Sequence, residues 1–395
     1  MGAAASSTRG ERGGRTAQGV SAADSARAAG AGRALRASRP QRDRWDTTHL
    51  FTHPFALALL ASASAACLPV HYALQAGAGE FTLLTSARPV EEFLERSDTP
   101  GRVRALLEAV PRVKQFGEAA GLRATSNYRR YEELARPAAV WVVSACPELS
   151  LQPRLVEFPI AGAVPYLGWF ELRAARDYAA SLRAEGLDVD LRGASAFSTL
   201  GWFDDPLLST MLERGPAALG ALANTVLHES VHATLYLPGQ TPFNEGLAEF
   251  VAERLTPRYL AAHASPYTQR AWRDEQARRA RVEEKLHDAA ARLEALYRSA
   301  LPDARKRERK AEILRALSDE LGLDRLLNNA LLAQHQAYAA GRAGFAHLLA
   351  ACGDELRCFF KALRPLDAAR FARPNQDDLD PLLDALAARI RETGD

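Results

Sequence analysis

Residues 222–237 read Leu-Ala-Asn-Thr-Val-Leu-His-Glu-Ser-Val-His-Ala-Thr-Leu-Tyr-Leu, and the rest of the chain is best read outward from them. The stretch reads as one helix, and His228-Glu229-Ser230-Val231-His232 within it is H-E-x-x-H. Histidines four apart project from one helix face. There His228 and His232 can grip one metal ion from two corners of a tetrahedron. Glu229 then lies beside the open corner and can take a proton from a water held there. From Leu219 to Leu237 the helix is apolar nearly all round, since Leu219, Leu222, Val226, Leu227, Val231 and Leu235 leave no wide polar face. Such a helix should be buried. Buried His and Glu need partners, and one metal ion would supply them together. The competing reading is a core helix whose histidines are hydrogen-bonded and nothing more.

A third ligand has to come from elsewhere. Asn244-Glu245-Gly246-Leu247-Ala248-Glu249-Phe250 follows, with Glu245 thirteen positions beyond His232. Glu249 comes four later, one turn on if this segment too is a helix. Glu245 is the expected third ligand. Glu249 is placed to accept the free ring N–H of His228 or His232 and fix its tautomer. The plainer alternative is a solvated acidic helix face, because Glu253 continues the four-residue spacing. Pro238-Gly239-Gln240 supplies the turn between the two helices. A histidine six positions after His232 is not available as ligand: position 238 is proline, and the next histidine is His263.

N-E-G-x-A after H-E-x-x-H resembles the gluzincin clan of zinc peptidases, with a shorter spacer. Together with AFSTLGWFDDPLLSTML (196–212) and TPFNEGLAEFVAE (241–253), it resembles a bacterial family of predicted aminopeptidases. YALQAGAGEFTLL (72–84), SNYRRYEELARPAAVWVVSACPELSL (126–151), FPIAGAVPYLGWF (158–170), LPDARKRERKAEILRAL (301–317) and LNNALLAQHQAY (327–338) carry the same likeness, over about residues 67–365. The resemblance implies a zinc peptidase with a single Zn2+ on His228, His232 and Glu245. It also implies an oxyanion donor from the helical half, for which Tyr338 is the candidate, with Tyr166 and His335 as rivals. An edge strand ahead of the zinc helix would hold substrate backbone by β-addition, and GASAF (193–197) is placed for that. The one-zinc aminopeptidases hold the substrate's free amine with a G-x-M-E-N strand. GASAF has no carboxylate, which leaves Asp204, Asp205 or Glu148 as substitutes.

The chain has 395 residues, 47% hydrophobic and 25% charged, enough for a sizeable core. Its net charge of +2 is uneven. Residues 1–45 hold nine Arg against three acids, so the remainder is acidic on balance. A body without basic excess argues against a nucleic-acid partner. Residues 1–50 read as a disordered leader of small residues and arginine. Residues 51–67 look like a signal-peptide core, with small residues just before Cys67 as in a lipoprotein cleavage site. Ser64 departs from the usual leucine there. Cys67 is the expected lipid anchor, which places the protein at a bacterial cell envelope with the membrane and a peptide as its partners. Cys352 and Cys358 could pair across Gly353-Asp354 or stay free and buried.

The expected fold class is α+β and zincin-like. Helices are expected over 90–97 and 102–122, and strands over 138–146, 155–170 and 187–199, with a helix at 174–187 between the last two. The zincin-like domain would span 68–370, its sheet-bearing half ending near residue 240 and giving way to a helical half. Residues 371–395 read as a helical tail. Helices 269–297 and 303–320 carry charges that read as solvated faces. The function expected from these parts is hydrolysis of peptide bonds at N-termini, with Glu229 as base. A zinc endopeptidase, a non-peptide amidase and an envelope lipoprotein with a vestigial site fit the same residues.

Overall fold

The computed structural model describes residues 72, 75–158, 162–196 and 204–393, apart from the side chains of residues 338 and 393. Cys67, the leader and the 51–67 segment lie outside the described residues. What is described is α+β and mostly helical, and no helix in it is long and apolar enough to cross a membrane.

In chain order the elements are α1 (residues 75–86), β1 (Arg88–Pro89), α2 (Val90–Glu95), α3 (Gly101–Ala119), β2 (Arg130–Glu132), β3 (Val140–Cys146), β4 (Val156–Phe158), β5 (Gly162–Val164), β6 (Tyr166–Trp169), α4 (Leu172–Ala184), β7 (Asp188–Ala194) and β8 (Leu207–Leu208). Then come α5 (Ala218–Thr234), α6 (Thr241–His263), α7 (Pro266–Arg298), α8 (Asp303–Glu320), α9 (Asn329–Ala339), α10 (Arg342–Ala351), α11 (Leu356–Leu363) and α12 (Asp380–Thr393). Among the described residues, the expected strand over 155–170 is represented by three short ones. Pro165 has no N–H to give a ladder, and Gly162 sits at φ +73°, the left-handed region that favours glycine. A Cβ at Gly162 would also come within 2.8 Å of the Gly239 nitrogen, so this hairpin presses against the turn between α5 and α6.

The sheet that matters for the site has strand order β6-β3-β7, both pairings antiparallel. Period-2 alternation sorts its side chains onto two faces. Val143, Ala145, Leu167, Trp169 and Val189 pack against Ala175, Ala179 and Leu182 of α4. Ser144, Tyr166, Asp190 and Arg192 alternate with them and belong to the other face.

α5 is buried, as its apolar circumference requires. Leu222, Val226, Leu227 and Val231 join Leu107, Val110 and Val113 of α3 in the main core. α6 adds Phe243, Leu247 and Phe250 to that core, where Phe250 stacks 5.8 Å from Phe359 of α11. Leu383 and Ala387 of α12 are buried in the same core. Cys352 and Cys358 are joined in a disulfide that ties α10 to α11, the turn being made by Gly353 and Asp354, both at positive φ. α7 and α8 pack through Leu286, Leu293, Leu314 and Leu317. Their outer faces carry exposed pairs such as Arg309–Glu312.

Candidate metal centre

The last turns of α5 and the first of α6 face each other because the six residues between them are clamped. Asn244 is 1% exposed, inside a helix, and its amide closes a ring: Leu237 N–H donates to Oδ1 and Nδ2 donates to the Leu237 carbonyl, both at 2.8 Å. Asn375 secures the start of α6 from a distance. Its Oδ1 accepts from Thr241 N–H at 2.9 Å, and its Nδ2 donates to the Ala163 carbonyl of β5 at 2.7 Å. Beyond Glu245, a Cβ on Gly246 would sit 2.3 Å from the Ala340 carbonyl oxygen, so only glycine allows that approach.

Glu245 thereby points at both histidines. Its Oε2 lies 3.4 Å from His228 Nε2 and 3.8 Å from His232 Nε2. The His228 and His232 rings are 4.9 Å apart. One donor atom from each of the three residues falls within 4.8 Å of the others. Donors about 2.1 Å from a shared centre at tetrahedral angles stand about 3.4 Å apart, against 3.4 and 3.8 Å from Glu245 to the two imidazoles. Two imidazole nitrogens and one carboxylate oxygen are also the donor chemistry of a transition-metal site. These three residues could hold a metal ion.

The surrounding groups orient them. His228 Nδ1 lies 3.3 Å from Glu249 Oε2, placed to donate to it, which leaves Nε2 facing Glu245. Tyr166 O–H, from β6, donates to Glu245 Oε1 at 3.2 Å. Glu253, next in the four-residue stripe, turns away to a two-pronged pair with Arg342 of α10. The stripe is therefore not a solvated face. Glu245 and Glu249 take the two ring nitrogens of His228, and Glu253 takes Arg342.

Charge inside the site is dominated by carboxylates. Burial pulls the His228 imidazole down, but its bonds to Glu245 and Glu249 and the nearby negative charge outweigh burial and raise it to about 10. Burial likewise opposes ionisation of Glu245, yet His228, His232 and Tyr166 hold its carboxyl down to about 2. Burial lowers His232 and raises the Glu229 carboxyl above its ordinary range. Glu229 Oε2 and His232 Nδ1 are buried and find no hydrogen-bond partner among the described residues. The carboxylates thus favour positive charge at His228, while burial disfavours it at His232 and holds the Glu229 carboxyl partly back from ionising.

Among the residues singled out from sequence, His228, His232, Glu229, Glu245 and Glu249 are brought together. Tyr338 has its backbone in α9, and its side chain lies outside the described residues. His335 lines a cavity of about 220 Å³ that Glu249 also lines. Gly193 and Ala194 of GASAF end β7, which pairs only with β3 among the described residues, while Phe197 lies outside them. Asp205 is buried close enough to raise Glu229. Glu148 is bonded to Arg307 instead. Three residues were given no role in the sequence. Asn244 and Asn375 position Glu245. Tyr128, 5% exposed at φ +68°, is lifted well above an ordinary phenol by burial and then by the charges of Glu229 and Asp205. Strain of that kind in a non-glycine residue gathers at functional sites.

No curated protein and no solved structure matched the chain. The family described as "Putative aminopeptidase" matches residues 71–376, a span that takes in β3, β6 and β7, both helices of the candidate centre and the clamp at Asn375. With more than three quarters of its length inside that match, the chain belongs to the putative aminopeptidase family.

Proposed function

We propose that the chain is a zinc-dependent aminopeptidase of gluzincin type on a zincin-like fold. The convergence of His228, His232 and Glu245 donor atoms, with Glu229 one residue from the first of them, carries this reading. The family supports peptidase activity, and with it the N-terminal mode of attack. A zinc ion on His228, His232 and Glu245 would supply Lewis-acid polarisation of the scissile carbonyl and of an attacking water.

The chain's own residues do the rest. Glu229 takes the proton of the attacking water and delivers it to the leaving amine. Glu249 holds His228 in one tautomer. Tyr166 donates to Glu245 in the present arrangement, and its hydroxyl, with that of Tyr338, is the source of a donor for the developing oxyanion. The edge of β7 receives substrate backbone. Export to a bacterial envelope and a lipid anchor at Cys67 complete the reading, and the Cys352–Cys358 disulfide suits an oxidising compartment.

The test is zinc content of the purified chain together with turnover of aminoacyl-anilides, with and without chelator. One bound zinc and turnover lost in Glu229→Gln are expected. Cleavage confined to N-blocked peptides would make the protein an endopeptidase, and a chain that binds no zinc would be catalytically vestigial.

A further inference from the structure

Resting on the peptidase reading, we propose that the cavity enclosed by β3, the start of α6 and α9 takes a substrate side chain beside the scissile bond. The side chain it selects is short and uncharged with a hydrogen-bonding tip: serine, threonine or asparagine.

The cavity has a volume of about 50 Å³, and Glu245 and Tyr166 both line it, so it opens at the candidate metal centre. One water needs roughly 10–15 Å³ of such space, which gives room for about four non-hydrogen atoms. The apolar part of its wall includes the short side chains of Pro165, Pro242, Ala330, Ala333 and Ala337. Those three alanines recur at helical spacing on α9 and hold the walls back from the space between.

Among the polar residues that line it, two carry buried atoms with no hydrogen-bond partner among the described residues. Ser144 of β3 is 6% exposed, and its Oγ has no hydrogen-bond partner among the described residues. Gln334 Nε2 of α9 is buried and equally without one. A hydroxyl and an amide are the pairing needs of an alcohol or carboxamide guest, because buried polar groups left unmade are costly. An apolar guest would leave both unmade. A charged guest finds no opposite charge to meet: Glu245 is engaged with His228 and Tyr166, and Asp377 is bonded to Arg373. The cavity on the Glu249 side is different in kind, being walled by Arg192, Arg342 and Glu283.

The experiment uses the full zinc-loaded chain and peptides in which each residue flanking the cleaved bond is varied in turn. Wild type should prefer serine, threonine or asparagine over leucine by about tenfold in kcat/KM at one of those positions. Ser144→Ala combined with Gln334→Leu should erase or invert that ratio, and Ser144→Ala alone, which removes a single buried atom, should reduce it. A ratio unchanged by these variants would overturn the proposal. A second arm measures the melting temperature of chelator-treated protein with free L-asparagine, L-serine or L-leucine. Stabilisation by the first two that the double variant loses supports the pocket even if no peptide is cleaved, an outcome that would sink only the peptidase reading. Equal shifts in wild type and double variant would overturn the pocket.

Discussion

The two faces of the β6-β3-β7 sheet come from the same alternating strands, yet one is finished and the other is not. Toward α4, Val143, Leu167 and Val189 meet Ala175, Ala179 and Leu182 as an ordinary apolar layer. On the opposite face Ser144 Oγ is buried without a hydrogen-bond partner among the described residues, and Asp190 Oδ2 and Arg192 Nε, equally without one, meet only as an ion pair at 4.0 Å. A buried group left wholly unpaired, as Ser144 Oγ is, costs about 1–3 kcal/mol. A fold that retains such groups on one face and packs the other with hydrocarbon has assigned the faces different work. Trp169 Nε1 is the exception on the α4 side. The difference teaches where substitutions should reach stability and where they should reach chemistry.

Glu229→Gln is the sharpest way to separate the two. It keeps the shape of the side chain and removes its basicity, and loss of a general base costs about 10²–10⁴-fold in rate. Turnover should fall by about that factor while zinc content and melting temperature stay as in wild type. A large fall in melting temperature would mean that Glu229 is a packing residue. The opposite case is Leu167→Ala. Leu167 is 1% exposed in the layer against α4. Its truncation should lower unfolding free energy by about 2–5 kcal/mol in urea titration. The zinc-loaded folded fraction should keep its specific activity, and lost activity per folded molecule would break the division between faces.

What could be read from sequence follows the same line between local and distant. H-E-x-x-H was legible because both ligands and the base share one helix, where spacing fixes direction. The long helices α3, α7 and α8 were legible from their period. Glu245 and Glu249 needed only the next helix and a turn. The three short strands over 155–170 were not separable, since Pro165 and the Gly162 turn sit inside a run whose one charge is Glu157. Asn375 lies 131 positions beyond Asn244, and no local pattern links it to the start of α6. Ser144 looked like one more residue of a buried strand. That its hydroxyl is left without a partner shows only once α9 is packed across it. Pairing of Cys352 with Cys358 was open from spacing alone and is settled by the turn at Gly353 and Asp354.

Gly246→Ala tests the join between fold and site. The new methyl would meet the Ala340 carbonyl, a backbone atom that cannot swing aside. Overpacking of this sort costs about 1–3 kcal/mol. Because Glu245 is the neighbouring residue, zinc affinity measured by chelator competition should drop together with stability. Unchanged affinity would show that the α6 backbone can yield without moving Glu245.

The smallest effect expected is a pH dependence on the site-facing register of β3. Cys146 lies in step with Ser144 and packs on Ala330 and Ala333. Burial first, then the charge of Asp188, pushes its thiol from 9.0 to about 12, with Lys310 opposing. A thiol raised in the fold releases its proton more readily when unfolded. Its contribution is therefore complete below pH 9 and is lost as pH climbs toward 12. Between pH 8 and 10 that loss amounts to about 1 kcal/mol. Other buried phenols also destabilise the alkaline fold, so the informative quantity is a difference in slope. Denaturant titrations of wild type and Cys146→Ala over this range should diverge, the variant losing less stability at pH 10. Parallel curves would mean that water reaches the sulfur, and with it that the site-facing side of β3 is open well beyond Ser144.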